Sequence, residues 1–341
     1  MMDLFKKIRD KAGKEKFSVG LDIGTSSLKI AKLKLGQNPA ELCGFSLEPN
    51  QLDLAQSLKK LKSLYGLEAV NISFAGPATV TRYVNMPKME PAEFRQALKF
   101  EAQKYIPFSV SEINLDGCIL RDNLPDNKML VLIAAVKKEA AEQRLKLLQE
   151  SGLSANIIDL DSIALANSFN YIFAPDDSLK QKTYALLDIG ASVASLAILE
   201  AGALVLSRDI HIAGNAITQK IMDAFGVDFK AAEQLKIHPE PPAADKLSAA
   251  LESVTANLSG EIRTSFDYYE SQGSSAVSRI FLSGGAAKFS GLKDTLANFL
   301  GIEVGCWDPV KGLRLAADIA PAELKEASAQ LAVAVGLALR G

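Results

Sequence analysis

The sequence predicts an α/β protein of two similar lobes, with a smaller unit inserted into the first. Two stretches, VGLDIGTSSLKIAKL at 19–33 and YALLDIGASVASLAIL at 184–199, follow one plan in which an Asp-Ile-Gly turn joins two apolar runs. Short β-rich runs alternate with amphipathic helical patterns through the rest of the chain. A third block, 85–158, has its own order of helix, two strands, helix and strand. An internal repeat of this kind indicates one structural plan used twice.

The first lobe is predicted to span 17–84. Three short β-rich runs follow one another from Phe17, and Leu52–Tyr65 has leucines at helical spacing with lysines between them. Gly66 is well placed to end that helix, and AVNISFA follows as a strand. The predicted order is therefore three strands, a helix and a strand.

The remaining blocks are an inserted unit at 85–158, a connection at 159–182 and a second lobe at 183–341. The first helix of the inserted unit has Pro91 in its first turn and Pro107 just beyond its end. The second lobe repeats the paired strands of the first and ends in an apolar helix, LAVAVGLALRG. We expect that last helix to return to the first lobe.

Composition excludes several classes of protein. The chain has 48% hydrophobic and 23% charged residues, like an average soluble globular protein, and 38 Lys and Arg against 40 Asp and Glu. This balance gives no electrostatic reason to bind nucleic acid. Three scattered cysteines and two histidines exclude a zinc site of the usual kind. Because no apolar run approaches the roughly 18 residues of a membrane span, we expect a cytoplasmic protein.

Residues 1–16 are predicted to form a flexible basic terminus, with six Lys and Arg against three acids. A frayed, solvated end is the favoured interpretation. Weak attraction to an anionic membrane surface also fits the composition, and the sequence does not decide between the two.

The repeated turn suits phosphate binding. Gly24 and Gly190 let backbone amides approach an anion closely. A carboxylate beside phosphate would repel it, so Asp22 and Asp188 predict a hydrated Mg²⁺ between the acids and the phosphates. Lys29 adds a positive charge at the base of the first turn. Hydroxyl donors surround the two turns at Thr25, Ser26, Ser27, Ser192 and Ser195.

The segment FLSGGAAKFSGL predicts a nucleoside site. Gly284 and Gly285 follow a strand and precede a helix, where a base and a ribose can lie against the bare backbone. Alone, this motif indicates only a strand-to-helix turn, just as one Asp-x-Gly is mostly an ordinary turn. The three motifs together favour a nucleotide site.

With these motifs in order, the chain resembles the actin, Hsp70 and sugar-kinase superfamily of ATPases. Within it, the chain is most similar to the PilM family of type IV pilus assembly proteins, which are themselves similar to FtsA. The resemblance runs from about Ser18 to the C-terminus. It implies an actin-like ATPase fold of two ribonuclease-H-like lobes with an FtsA-type small subdomain. The segments that carry it are GLDIGTSSLKIAKL, MPKMEPAEFRQALKFEAQKYIPF, AVKKEAAEQRLKLLQESGLSANIIDLDSIALANSF, AEQLK and VGLALR.

For cofactors, the resemblance implies ATP and Mg²⁺ in the cleft between the lobes. Without the resemblance, Glu233 and Lys236 indicate only a surface i,i+3 ion pair. By position, the family's nucleotide-binding residues are Asp22, Gly24, Thr25, Ser26, Ser27 and Lys29 in the first phosphate motif, Asp188, Gly190, Ala191 and Ser192 in the second, and Glu233, Lys236, Gly284, Gly285 and Lys288 on the nucleoside side.

Hydrolysis is predicted to be slow at most. Efficient ATPases of the superfamily have a glycine-rich second phosphate turn followed by threonine, where this chain has Ala191 and Ser192. A misplacement of about 1 Å costs on the order of a hundredfold in rate, so binding can persist without turnover. Asp159 and Asp161 stand where the superfamily often keeps an acid that positions water, but each fits a helix N-cap equally well.

The resemblance also implies a scaffold function. Members of the PilM family bind the short cytoplasmic N-terminal peptide of the inner-membrane protein PilN beside the inserted subdomain, which makes their membrane association indirect. Pilus motor ATPases are a further class of partner that the resemblance implies. The apolar residues predicted for the peptide groove are Phe94, Leu98, Ala102, Tyr105, Ile106 and Phe108. The alternative is that most of them form the buried face of the subdomain's first helix.

Two other functions are compatible with the predicted fold. A filament-forming cell-division protein of the FtsA type ends in an amphipathic membrane helix, whereas VAVGLALRG is short and lacks a polar face. A sugar-kinase-type phosphotransferase needs an acidic base near the acceptor hydroxyl and a sugar pocket, and the sequence offers no convincing residue for either. Phosphate release, measured with and without small acceptors, separates these classes.

Overall fold

The computed structural model describes residues 16–50, 53–173, 179, 182–238, 244–273 and 275–341. Except for Lys16, the predicted basic terminus at 1–16 lies outside these ranges. So does most of the loop that the sequence predicts before the second lobe. Within the described ranges, no helix combines the length and the apolar character that crossing a bilayer requires.

Strands and helices alternate along the described chain. The strands are β1 (Lys16–Ile23), β2 (Ser27–Leu35), β3 (Glu41–Pro49), β4 (Ala69–Phe74), β5 (Thr79–Pro87), β6 (Ile113–Leu124), β7 (Lys128–Lys137), β8 (Ser154–Leu160), β9 (Thr183–Ile189), β10 (Ala194–Glu200), β11 (Ala203–Ile210), β12 (Arg279–Ser283), β13 (Glu303–Cys306) and β14 (Arg314–Leu315). The helices are α1 (Leu54–Tyr65), α2 (Pro91–Ala102), α3 (Lys138–Glu150), α4 (Asp161–Phe173), α5 (Gly214–Phe225), α6 (Phe229–Ile237), α7 (Ala244–Glu270), α8 (Leu292–Leu300), α9 (Pro321–Ala327) and α10 (Ala332–Ala338).

The two large sheets share one strand order. The first runs β14-β3-β2-β1-β4-β8 and the second runs β11-β10-β9-β12-β13. In each, a three-stranded antiparallel meander is extended by two parallel strands. This repeated order is the ribonuclease-H-like arrangement, and it confirms the predicted two-lobed α/β fold.

A third sheet, β5-β7-β6, is antiparallel and carries α2 on one face. Its extent differs from the unit at 85–158 that the sequence predicts. The sheet begins at Thr79, and β8 pairs with β4 in the first lobe. Ala141 and Leu148 of α3 are buried in the core of the first lobe, so this helix belongs to the first lobe and not to the inserted unit. The inserted subdomain defined by strand pairing is therefore 79–137.

The C-terminal helix α10 packs against β1, β2 and α4. Small residues permit this contact. A Cβ added at Gly20 would lie 1.9 Å from the Ala334 carbonyl oxygen, and one added at Gly336 would lie 1.8 Å from that of Ala164. The chain after the second sheet thus packs on the strand that leads into the first Asp-Ile-Gly turn.

Candidate functional site

A cleft of about 570 Å³ lies between the two lobes. Its walls are the two Asp-Ile-Gly hairpins, the start of α5, one side of α6 and the glycine-rich segment after β12. All the residues predicted to bind the nucleotide line it, namely Asp22, Gly24, Thr25, Ser26, Ser27, Lys29, Asp188, Gly190, Ala191, Ser192, Glu233, Lys236, Gly284, Gly285 and Lys288. The fold therefore brings four distant parts of the sequence to one place.

Asp22 and Lys29 form an ion pair at the base of the first hairpin. They are opposite each other in the β1–β2 register, and the Lys29 Nζ lies 2.8 Å from the Asp22 Oδ2. The two side chains are only 13% and 12% exposed. Burial by itself lowers the pKa of Lys29, but the Asp22 carboxylate raises it above the ordinary value. Lys29 therefore carries its charge in the cleft.

The first hairpin turn is held by backbone and amide hydrogen bonds. The Gly24 N–H donates to the Ser27 carbonyl at 3.1 Å. The Asn50 side-chain amide donates to the carbonyls of Gly24 and Thr25, at 2.9 and 2.8 Å. These bonds fix the turn that places residues 25–27 at the wall of the cleft.

The second hairpin repeats this geometry with different charges. The Gly190 N–H donates to the Val193 carbonyl at 3.0 Å, as Gly24 does to Ser27. Asp188 lies opposite Ser195, where the first hairpin places a lysine. The Ser283 hydroxyl donates to Asp188 at 2.7 Å. Burial nevertheless raises the pKa of Asp188 to about 6.

The two hairpins touch across the cleft. The hydroxyl oxygens of Thr25 and Ser192 lie 2.6 Å apart, within hydrogen-bond distance. Behind the second hairpin, α5 begins against the turn, since the Asn215 N–H donates to the Ala191 carbonyl at 2.7 Å. Ala191 has no positive φ, so alanine fits this turn without strain.

The structure separates the two acids that the sequence nominates for positioning water. Asp161 begins α4 and faces the cleft, and its pKa is raised to about 7 by burial and then by the Asp22 carboxylate. Asp159 is not among the residues that line the cleft. Its buried carboxylate lies 2.9 Å from the Arg340 Nε in an ion pair. Asp159 lies in β8 whereas Asp161 is the first residue of α4, and this change from strand to helix directs the two carboxylates to different places.

The described residues of the cleft do not form a cluster of side chains that could ligate a metal ion directly. Among the described residues, no group of three or more His, Cys, Asp and Glu side chains could hold a metal ion. Asp22, Asp161 and Asp188 share the cleft, however, and their mutual repulsion contributes to the raised pKa values of Asp161 and Asp188. A hydrated cation would relieve that repulsion, so these residues fit a metal bound through water.

The part of the cleft where the sequence predicts a nucleoside combines an ion pair with a bare glycine. The ammonium of Lys236 contacts Glu233 and lies 2.8 Å from the Thr218 hydroxyl, and the lysine side chain is only 12% exposed. The pair therefore lies in the cleft and is no ordinary surface pair. Gly284 has φ +89°, and a Cβ there would lie 2.5 Å from the Ile189 carbonyl oxygen. This position therefore requires glycine.

Comparison with known proteins identifies the family. Residues 20–341 match the family described as type IV pilus assembly protein PilM. The chain belongs to the PilM family. It is 27% identical to the solved structure titled the PilM-PilN type IV pilus biogenesis complex, with a TM-score of 0.83 over 95% of this chain and 98% of that chain. The ethanolamine utilization protein EutJ from Carboxydothermus hydrogenoformans shares the fold, with a TM-score of 0.58 and 14% identity over 100% of this chain and 97% of that chain.

Membership of the PilM family and the paired sheets confirm an actin-like fold. Sequence reasoning missed several cleft residues in this PilM family member. Arg144 on α3 is one; burial lowers its pKa, and its guanidinium lies 5.1 Å from the Phe74 ring centroid. Its helix has an ordinary amphipathic pattern, so only the packing of α3 reveals it. The others include Ser73, Asn215, Phe229, Ile237, Phe289 and Gln330.

Burial distinguishes the two interpretations given for the apolar residues of the predicted partner groove. Phe94, Leu98 and Ile106 are 3%, 7% and 5% exposed, and they form the core of the inserted subdomain together with the fully buried Ala102. These four residues are therefore unavailable to a peptide. Phe108 is partly buried, with the Lys137 ammonium 4.5 Å from its ring centroid, and Tyr105 is exposed. This outcome agrees with the alternative given by the sequence, in which most of these residues form the buried face of the subdomain's first helix.

Proposed function

We propose that this protein is a cytoplasmic scaffold of type IV pilus assembly that binds ATP with Mg²⁺ and the N-terminal cytoplasmic peptide of PilN. The observation that carries the nucleotide proposal is the pair of hairpins, joined by Thr25 and Ser192 across a cleft of about 570 Å³. The observation that carries the partner proposal is the family match together with the structural similarity to the PilM-PilN complex.

The cleft is divided in a way that suits a nucleoside triphosphate. At one end, hydroxyls and turn amides surround the Lys29 ammonium, which suits phosphates. Phe229, Ile237 and Phe289 line the same cleft as the bare backbone of Gly284, and such apolar surface suits a base. Both groups of residues line one continuous cleft, so a single ligand could contact both.

Mg²⁺ would be held through water by Asp22 and Asp188. When bound, the cation would supply positive charge between the phosphates and these carboxylates. Asp22 is already paired with Lys29 at 2.8 Å, so Asp188 is the acid with more to gain from the cation. We expect at most slow hydrolysis, since Ala191 carries a methyl group where efficient ATPases have glycine.

Partner binding would place the protein at the cytoplasmic face of the inner membrane. The inserted subdomain offers Tyr105 on its surface, at 36% exposure, near the predicted groove. A peptide bound there would tether the protein to PilN, and through it to the membrane complex. Pilus motor ATPases remain a further predicted partner.

The experiment for the partner is a titration of a fluorescent PilN N-terminal peptide with the purified protein, followed by anisotropy. Saturable binding is expected, and a scrambled peptide of the same composition should not bind. Absence of binding by the native peptide would refute the scaffold proposal. Sedimentation with ATP, and phosphate release with sugar or acetate acceptors, test the FtsA-like and phosphotransferase alternatives.

A further inference from the structure

The inserted subdomain contacts the second lobe, although it is inserted into the first. Thr81 and Tyr83 on β5 lie 3.1 and 3.2 Å from the Ser207 hydroxyl on β11. On the neighbouring part of the subdomain, Arg121 of β6 forms an ion pair with Glu200 at the end of β10, at 2.8 Å. A movement of the second lobe would therefore displace the contacts of the inserted sheet at two places.

Asp209 lies at the centre of this junction. It follows Ser207 by two residues on β11 and so shares its side of the strand. The Asp209 Oδ2 accepts a hydrogen bond from the Gly76 N–H at 2.6 Å, and its Oδ1 accepts one from the Ser195 hydroxyl at 3.0 Å. Ser195 lies opposite Asp188 in the β9–β10 register. One carboxylate thus links the second phosphate hairpin to the chain entering the inserted subdomain.

The Gly76 end of this link sets the start of the inserted sheet. Gly76 has φ +80°, and it lies in the short connection between β4 and β5. Its carbonyl accepts hydrogen bonds from the N–H and the hydroxyl of Thr79, at 3.0 and 2.9 Å. Thr79 is the first residue of β5. The position of the Gly76 turn relative to Asp209 therefore determines where β5 begins.

The junction also has room to rearrange. A second cavity, of about 230 Å³, lies there and is lined by Gly76, Thr81, Ser207 and Asp209 among others. Close-packed interiors resist small displacements, whereas side chains around a cavity shift at lower cost. Hydroxyl and carboxylate contacts can exchange partners in such a space, which a continuous apolar core would prevent.

We propose that Asp209 is a positioning residue that couples nucleotide binding in the cleft to peptide binding at the inserted subdomain. This inference rests on the proposed function. Phosphates bound at the second hairpin change the orientation of Ser195, and Asp209 transmits that change to the amide of Gly76 and so to β5. Each ligand then favours one arrangement of the junction, which makes the coupling reciprocal.

The test measures the Kd of the fluorescent PilN peptide without nucleotide and with saturating ATP and Mg²⁺. In the parent protein the two values are expected to differ by about fivefold or more. Asp209→Asn keeps the size of the side chain but removes its charge and one acceptor oxygen, so the Gly76 N–H and the Ser195 hydroxyl can no longer each donate to a carboxylate oxygen. The two Kd values of this variant are expected to become equal. Asp267→Asn, an exposed acid on α7, is the matched control and should keep the parent's difference.

A merely structural role for Asp209 predicts a different result. Destabilisation would weaken the binding of both ATP and the peptide, but it would leave the ratio of the two peptide Kd values unchanged. That result would overturn the proposal. Ser195→Ala alone, which removes the hydroxyl that donates to Asp209, should also bring the two peptide Kd values together if the two residues act in one chain. Equal peptide Kd values in the parent would also overturn it. A parent protein that binds neither ligand would refute the proposed function, and this inference with it.

Discussion

The hydroxyl of Thr25 lies 2.6 Å from that of Ser192, so the two Asp-Ile-Gly hairpins are in direct contact across the cleft. These residues are far apart in sequence but occupy matching turns of the two lobes. A ligand entering between the hairpins must replace this hydrogen bond with its own. The contact therefore marks where a triphosphate would meet both lobes at once, and it gives the first prediction.

Ser192→Ala should weaken ATP binding by about tenfold, because a hydrogen bond to a charged group contributes about 1.5–3 kcal/mol. Calorimetry with ATP and Mg²⁺ measures this loss. AMP, which lacks the outer phosphates, serves as the control ligand, and its affinity should not change. An equal loss for AMP would show that the hydroxyl does not act on the outer phosphates.

Lys29→Met should lower the free energy of unfolding by about 3–5 kcal/mol, since it leaves the nearly buried Asp22 carboxylate without its partner. Urea unfolding of the nucleotide-free protein measures the change. The double variant Asp22→Asn with Lys29→Met removes both charges and should recover much of the loss. A double variant no more stable than Lys29→Met would contradict the importance of this ion pair.

Asp161 should make the nucleotide-free protein less stable as pH rises. Burial raises its folded-state pKa from 3.8 to about 7, so the folded state holds the proton more tightly than the unfolded chain does. Stability is then lost between about pH 4 and pH 7, on the order of 4 kcal/mol in full. Asp161→Asn should therefore be more stable than the parent at pH 8 and equal to it at pH 4 in urea unfolding. A constant difference across this range would exclude the buried acid as the cause.

Two phenylalanines on α2 test the correction of the partner groove. Phe94 is 3% exposed and Phe100 is 74% exposed. Phe94→Ala should cost about 3–5 kcal/mol of stability, whereas Phe100→Ala should stay within about 0.5 kcal/mol of the parent. Thermal and urea unfolding measure both. Similar costs for the two variants would mean that α2 does not pack as described.

The sequence was informative where local chemistry and periodicity determine structure. The Asp-Ile-Gly turns, the glycine at 284 and the end of α1 at Gly66, which has φ +60°, follow from residue types at fixed spacing. The repeat itself predicted two similar lobes, each with a β-hairpin and helices. In each case the responsible residues lie within one turn or one hairpin.

Long-range packing accounts for what the sequence could not show. Arg144 reaches the cleft only because α3 packs against the first lobe, and nothing in its own helix distinguishes it from neighbouring charged residues. Asp159 and Asp161 are two residues apart, yet the end of β8 and the start of α4 direct them to different places. The link from Asp209 to Gly76 joins residues on different lobes, and no local pattern encodes it.

The most direct test of the central claim is isothermal titration of ATP with Mg²⁺ into the parent protein and into Asp188→Asn. Asparagine keeps the size of the side chain and its ability to accept from Ser283, so the fold should be preserved, and it removes the charge that faces the cation. We predict saturable binding by the parent that is lost or strongly weakened in the variant, while Asp267→Asn binds like the parent. No binding by the parent, or equal binding by Asp188→Asn, would contradict the assignment of the paired hairpins as a nucleotide and metal site.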